Sequence, residues 1–244
     1  MNASLAGKVA LVTGAGKNIG RAIAMRLAAD GAAIVVNGRS DEAAIQAVAD
    51  EITAFGGRAM AYRADITKPE EVAAMAAAVA ASFGGVDILV TNAGLRRQTR
   101  FLDMSLEEWR EILSVALDGA FIATKAFLPQ MIARGGGSII GLSGISTHVG
   151  TPNRAHVSAS KSGLEGLMRA LAVELAPQGI RANCVAPGAV DTVRGASAGS
   201  MPSTLADNGI PMRRRASVAE IADVVRMLAG PEGGYITGQT IHVN

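Results

Sequence analysis

Val12-Thr13-Gly14-Ala15-Gly16-Lys17-Asn18-Ile19-Gly20-Arg21 is the stretch whose reading decides the fold. It follows an apolar run, Val9-Ala10-Leu11-Val12, that reads as a short buried strand. It precedes Arg21-Ala22-Ile23-Ala24-Met25-Arg26-Leu27, where apolar residues recur at helical spacing. A glycine-rich turn between a strand and a helix lets the backbone approach a phosphate. The free N–H groups of the first helical turn then point at the negative charge. The flanking strand and helix give the motif the context it requires.

Outward from that turn, strands and helices alternate. Strands are predicted over 8–12, 33–37, 58–64, 87–91, 138–142, 181–186 and 240–243. Helices are predicted over 41–55, 69–83, 105 to about 133, 154 to about 175 and 218–228. Pro69 stands in a first turn, where a missing N–H costs nothing. Ser105 with Glu108 reads as a capping box. Pro129 is expected to kink the last turn of the long helix. Such alternation implies a doubly wound, Rossmann-type α/β fold: a parallel sheet of about seven strands covered by helices on both faces. No linker interrupts it, so residues 1–244 read as one domain. A long Gly/Ser/Pro-rich loop separates the sixth strand from the last helix.

Composition narrows the function classes. The net charge is +2, and the only basic cluster is Arg213-Arg214-Arg215, so no nucleic-acid partner is expected. The single cysteine, Cys184, excludes an intrachain disulfide framework and fits a reducing compartment. No signal peptide and no apolar stretch of membrane-spanning length is read. The expectation is a cytoplasmic protein that acts on a small molecule, with no membrane partner and no metal site.

The second strand supplies the cofactor argument. A binder of NAD places an acid near its tip, about 20 residues past the glycine turn. Here the strand ends Asn37-Gly38-Arg39-Ser40, with no carboxylate, and Lys17 lies inside the phosphate loop. Two cations around the ribose suit a 2′-phosphate, which favours NADP over NAD.

Five spaced motifs carry a resemblance. They are Thr13-Gly14…Gly20, Asp65 after strand three, Asn92-Ala93-Gly94 after strand four, Ser158-Ala159-Ser160-Lys161, and Pro187-Gly188…Thr192 after strand six. In this order the chain resembles the short-chain dehydrogenase/reductase family, in its 3-oxoacyl-ACP reductase-like form, over nearly its whole length. The resemblance implies a dinucleotide at the strands' carboxyl ends, held by Gly14, Gly16, Lys17, Asn18, Ile19, Gly20 and Arg39. It puts Asp65 and Ile66 at the adenine, and Asn92, Ala93 and Gly94 beside the cofactor. Lys161 falls at the nicotinamide ribose, and Thr192 at the carboxamide after Pro187 and Gly188. Asn18 stands where the family has glycine. Asn tolerates a left-handed backbone, so phosphate binding is expected to survive.

The same resemblance exposes departures. The family places a catalytic tyrosine four residues before the lysine, and here that position is Val157. Its serine falls on Gly144, with Ser143 one residue away, and its asparagine falls on Ala116. No shift of register supplies a tyrosine, because Tyr62 and Tyr235 lie far along the chain. Two of the three histidines, His148 and His156, fall where the acid is missing, among Ser143, Ser146 and Thr147. Histidine is the commonest general acid or base near neutral pH. The expected catalytic set is therefore Lys161, His148, His156, Ser143 and Ser146, with His148 favoured as proton donor. Arg96 and Arg97 follow the Asn-Ala-Gly motif and suit an anionic substrate group.

Three classes of function remain open at this point. One is an oxidoreductase with an altered proton donor. Another is a non-redox, lyase-like enzyme on the same cleft. The third is a silent nucleotide-binding subunit. Retention of Lys161, Asn92 and Thr192 favours the first. Apolar faces on the helices 105–133 and 154–175 require a partner, and the family buries them in a homotetramer.

Overall fold

The computed structural model describes residues 4–193 and 209–244. Strands and helices alternate as β1 (Val9–Val12), α1 (Asn18–Ala29), β2 (Ala33–Gly38), α2 (Glu42–Ala54), β3 (Ala59–Arg63), α3 (Pro69–Phe83) and β4 (Ile88–Thr91). The long helix follows as α4 (Leu106–Leu113), a π-turn over Ser114–Asp118, and α5 (Gly119–Ala133). Then come β5 (Gly137–Leu142), the short α6 (Ser146–Val149), α7 (Ala155–Leu175), β6 (Ile180–Pro187), α8 (Val218–Ala229) and β7 (Thr240–Val243). The segment 194–208, most of the predicted loop after the sixth strand, lies outside the described residues, as do residues 1–3.

The sheet has seven strands in the order β3-β2-β1-β4-β5-β6-β7, every pair parallel. The period of two along each strand divides the core into two layers. Ala10, Val12, Ile34, Val36, Val90 and Ile140 face α1, α2 and α8, whose Ile23, Leu27, Ile45, Ile221 and Val225 cover them. Leu11, Val35, Leu89, Ile139 and Ala182 face α3, α5 and α7 through Val72, Met75, Phe127, Met131, Leu164 and Met168. Strands covered on both faces must be apolar throughout, which is why β1 and β4 are buried at every position.

Local chemistry sets the element ends. Pro69 occupies the first turn of α3, and Gly84 closes that helix in the left-handed region at φ 75°. A reciprocal capping box, Ser217 with Glu220, opens α8. The predicted box at Ser105 is only half made. Ser105 accepts the Glu108 N–H, but the Glu108 carboxylate turns to Thr99 Oγ1 (2.6 Å) and His156 Nε2 (3.2 Å). Pro129 stands inside α5, four residues before the helix ends at Ala133.

The 28 residues of Leu106–Ala133 also correct the reading that no stretch is long and apolar enough to span a membrane. An 18-residue window there has a mean hydropathy of 1.5. Ala120, Ala123, Phe127 and Met131 of this helix are nevertheless buried in the sheet-facing core, which identifies it as a core helix. Its opposite face shows Phe121 and Ile132.

Candidate active site

The site opens where the strand order reverses. β1 pairs with β2 on one side and β4 on the other, so the connections leaving β1 and β4 diverge and leave a crevice at their carboxyl ends. Thr13 and Asn92 tie the two strand ends together. Buried Thr13 Oγ1 accepts the N–H groups of Asn92 (3.0 Å) and Ala93 (3.1 Å) and donates to the Val90 carbonyl. The Asn92 amide donates to the carbonyls of Thr13 (2.9 Å) and Gly14 (3.0 Å).

That clamp leaves no room for a side chain at Gly20. A Cβ on Gly20 would lie 2.3 Å from the Gly14 carbonyl oxygen and 2.5 Å from the Asn92 amide nitrogen. Gly14 has φ +63°, where an L side chain is strained. Asn18 adopts φ +50°, the left-handed backbone expected of it. Its amide also makes a two-point pairing with the Val193 backbone, at 2.9 and 3.0 Å, and so ties the turn to the segment after β6.

Two contiguous chambers run along this edge of the sheet. The first is lined by Gly14, Lys17, Asn18, Ile19, Gly20, Arg39, Asp65, Ile66 and Ala93, among others. The second is lined by Leu142, Ser143, Gly144, Ser146, Arg154, Val157, Lys161, Pro187 and Gly188, among others. Asn92, Gly94, Arg96 and Thr192 line both. Nearly every sequence-predicted cofactor residue is thus brought to one groove. Gly16 is the exception. It does not line either chamber, and a Cβ there would lie 3.3 Å from Ala44 and 3.4 Å from Ile45 of α2. No carboxylate stands at the tip of β2. Buried Asn37 is held between the Tyr62 and Ala64 carbonyls, and Arg39 is exposed at the groove. A narrow cradle bare of side chains at a helix start, with two cations beyond it, fits a dinucleotide's phosphates.

In the second chamber Lys161 projects from α7 so that a Cβ on Gly94 would lie 3.3 Å from its Nζ. The amine donates to the Leu142 carbonyl. Burial, reinforced by the positive charge of Arg96, pulls its pKa down to about 8. Val157, buried at the start of α7, presents only methyl groups to this chamber. Ala116 lies in the π-turn, its Cβ 3.9 Å from one built on Gly94. Gly144 has open space around it, since a Cβ there meets nothing closer than 3.9 Å.

The histidines go elsewhere. His156 is fully buried. Its Nδ1 accepts the Val157 N–H at 2.9 Å, which puts the ring proton on Nε2, facing Glu108. Thr99 first, then His156 and Arg97, hold the Glu108 carboxyl below the usual range. His156 therefore does not line the chamber, because adjacent residues of a helix diverge by about 100° and Val157 takes the inward direction. His148 is also set back from it. Its Nε2 meets Glu165 Oε1 at 3.0 Å and its ring stands edge-on to His242. Ser143 and Ser146 do line the chamber. Ser143 donates its hydroxyl proton to the same Glu165 oxygen, so only its lone pairs face the cleft. Arg97 is engaged by Glu111 at 2.5 and 3.1 Å and does not line either chamber.

Sequence reasoning missed Arg154 and Glu165. Glu165 stands four residues after Lys161, one helical turn along the same face, so the spacing carried a usable signal. Arg154 carried none, because a charged residue before a helix reads as solvated, yet it is 5% exposed.

A glycine cradle at the strand-order reversal, followed by a half-buried lysine, defines a nucleotide-binding α/β enzyme. Residues 14–244 match the family described as Enoyl-(Acyl carrier protein) reductase. The chain is 38% identical to a 3-oxoacyl-[acyl-carrier-protein] reductase of Synechocystis sp., covering 99% of this chain and 97% of that one. It is 39% identical to the corresponding reductase of Staphylococcus epidermidis over 97% of each. A solved dehydrogenase/reductase from Sinorhizobium meliloti 1021 superposes with a TM-score of 0.89 at 34% identity, covering 99% of this chain and 95% of that one. The chain belongs to the short-chain dehydrogenase/reductase family, oxidoreductases whose reductases of this type use a nicotinamide dinucleotide.

Proposed function

We propose that the protein is an NADP(H)-dependent oxidoreductase of a small molecule in which Lys161 delivers the proton. When bound, the dinucleotide supplies the hydride. Gly14, Lys17, Asn18, Ile19 and Gly20 would hold its phosphates, Arg39 a 2′-phosphate, Asp65 and Ile66 the adenine end, and Asn92–Gly94, Pro187, Gly188 and Thr192 the nicotinamide end.

The observation that carries the reading is the Lys161 amine, placed in the chamber beyond Gly94 with its pKa lowered to about 8. A general acid works best with a pKa near the operating pH. In carbonyl reduction, as hydride reaches carbon, Lys161 gives one ammonium proton to the oxygen and regains it from water. Its bond to Leu142 leaves two further N–H groups for this task. Val157, Gly144 and Ala116 offer no proton, which is the basis for assigning the step to lysine. Ser143, its own proton committed to Glu165, would position substrate by accepting a hydrogen bond. His148 stands behind Glu165 and supports that serine. A lyase-like reaction or a silent subunit leaves the depressed amine without a task.

The exposed Phe121, Val173 and Tyr235 support assembly into a homotetramer, and the single buried Cys184 suits a reducing cytoplasm. Calorimetry tests the cofactor assignment. NADPH is expected to bind at least about tenfold more tightly than NADH, and Arg39→Ala to erase most of that difference, since charge-assisted hydrogen bonds contribute about 1.5–3 kcal/mol. Equal affinities in the wild type overturn the NADP assignment.

A further inference from the structure

Asn18 stands where the family has glycine, and glycine takes its left-handed φ of +50° with less strain. The phosphate turn therefore does not call for this side chain. It reaches instead across 175 residues of sequence to the segment after β6. Its amide nitrogen donates to the Val193 carbonyl at 2.9 Å, and its oxygen accepts the Val193 N–H at 3.0 Å. A carboxamide suits that task because one group carries both a donor and an acceptor, whereas a carboxylate would lack the donor.

Thr192 is the residue that this pairing fixes. Among the described residues after β6, it alone lines both chambers. Backbone bonds hold the chain before it. The Gly188 N–H donates to the Val243 carbonyl at 2.8 Å, the Asp191 N–H to the Ala216 carbonyl at 2.8 Å, and the Ala216 N–H to the Ala189 carbonyl at 2.9 Å. On the far side of Thr192, the Asn18 carboxamide holds Val193. Anchors on both neighbours restrict how Thr192 can shift or turn. Ordering a segment before its ligand arrives removes that cost from binding.

We infer that Asn18 is a positioning residue: its carboxamide, acting through Val193, sets Thr192 at the junction of the two chambers and so raises affinity for the nicotinamide end of the dinucleotide. This rests on the cofactor reading above and gives a residue of the phosphate turn a second task. The Asn18 backbone serves the phosphates, and its side chain serves Thr192.

Calorimetry with two ligands tests this. NADPH is compared with 2′-phospho-ADP-ribose, which has the same phosphates and adenine but no nicotinamide. Asn18→Gly suits the backbone at φ +50° and removes both bonds to Val193. It should weaken NADPH about fivefold or more, the equivalent of one net hydrogen bond, and leave 2′-phospho-ADP-ribose within about twofold. Thr192→Val should cause the same selective loss, and Asn18→Gly should add little in that background. The inference is overturned if both ligands weaken together, if either single substitution leaves NADPH binding intact, or if the two losses add in full. If the wild type binds neither ligand, the dinucleotide reading fails separately, and hydrogen exchange of the free protein decides the positioning. Amides of residues 187–193 should then exchange faster in Asn18→Gly, and unchanged exchange overturns the inference.

Discussion

Replacing Lys161 by methionine should make the protein more stable at neutral pH while removing its proton donor. An unfolded lysine holds its proton up to about pH 10.4. In the fold the amine releases it near 8, because burial and then the charge of Arg96 disfavour the ammonium. Between those values the unfolded chain binds more protons, so stability rises with pH across that window. Below pH 8 both states are protonated and the full penalty applies. At 1.36 kcal/mol per unit, a fall from 10.5 to about 8 corresponds to about 3 kcal/mol. Partial exposure of the side chain and the Leu142 carbonyl left without its donor reduce the expected gain to about 1–2 kcal/mol. For a chain of this length that is about 2–8 °C in melting temperature. The assay is urea unfolding of both proteins at pH 7 and pH 10, at one protein concentration because assembly contributes to stability. Lys161→Met should be the more stable at pH 7, with the gap shrinking by pH 10. A variant less stable at pH 7, or a gap independent of pH, refutes the reasoning.

His148→Ala and His156→Ala should each leave hydride transfer within about twofold of wild type, since neither ring lines the cleft. His156→Ala should cost about 2 kcal/mol in denaturant unfolding, through the cavity it leaves and the bond lost to Glu108. A tenfold loss of turnover in either variant returns the proton to histidine. Light scattering should give the mass of four chains, and a stable monomer removes the assembly proposal.

Much of this architecture was legible because each layer of the fold leaves a periodic mark. The doubly covered strands are continuous apolar runs such as Val9–Val12, and the helices end at Gly31, Gly56-Gly57 and Gly84. The turn Val12–Arg21 was legible because a Cβ at Gly20 would lie 2.3 Å from the Gly14 carbonyl oxygen, so only glycine fits there. The π-turn at Ser114–Asp118 left no such mark, since its residues are ordinary helix formers and the extra residue is accommodated by packing. Side-chain direction was the larger loss. His156 and Val157 are neighbours in sequence, and only the start of α7 decides which faces the chamber. Glu108 pairs with both the cap region and His156, a contact across 48 residues that no local pattern encodes. Arg154 belongs to the same category: its burial follows from how the segment before α7 packs against the chamber.

The most direct test of the account is the pH dependence of hydride transfer at saturating NADPH and carbonyl substrate, measured in the wild type and in Arg96→Gln. Reduction requires protonated Lys161, so the rate should be level below pH 8 and fall tenfold per unit above it. Removing the Arg96 charge should move the break upward, because that charge is one cause of the lowered pKa. A profile with no break between pH 7 and 10, or a break that stays fixed when Arg96 is neutralised, contradicts proton delivery by Lys161.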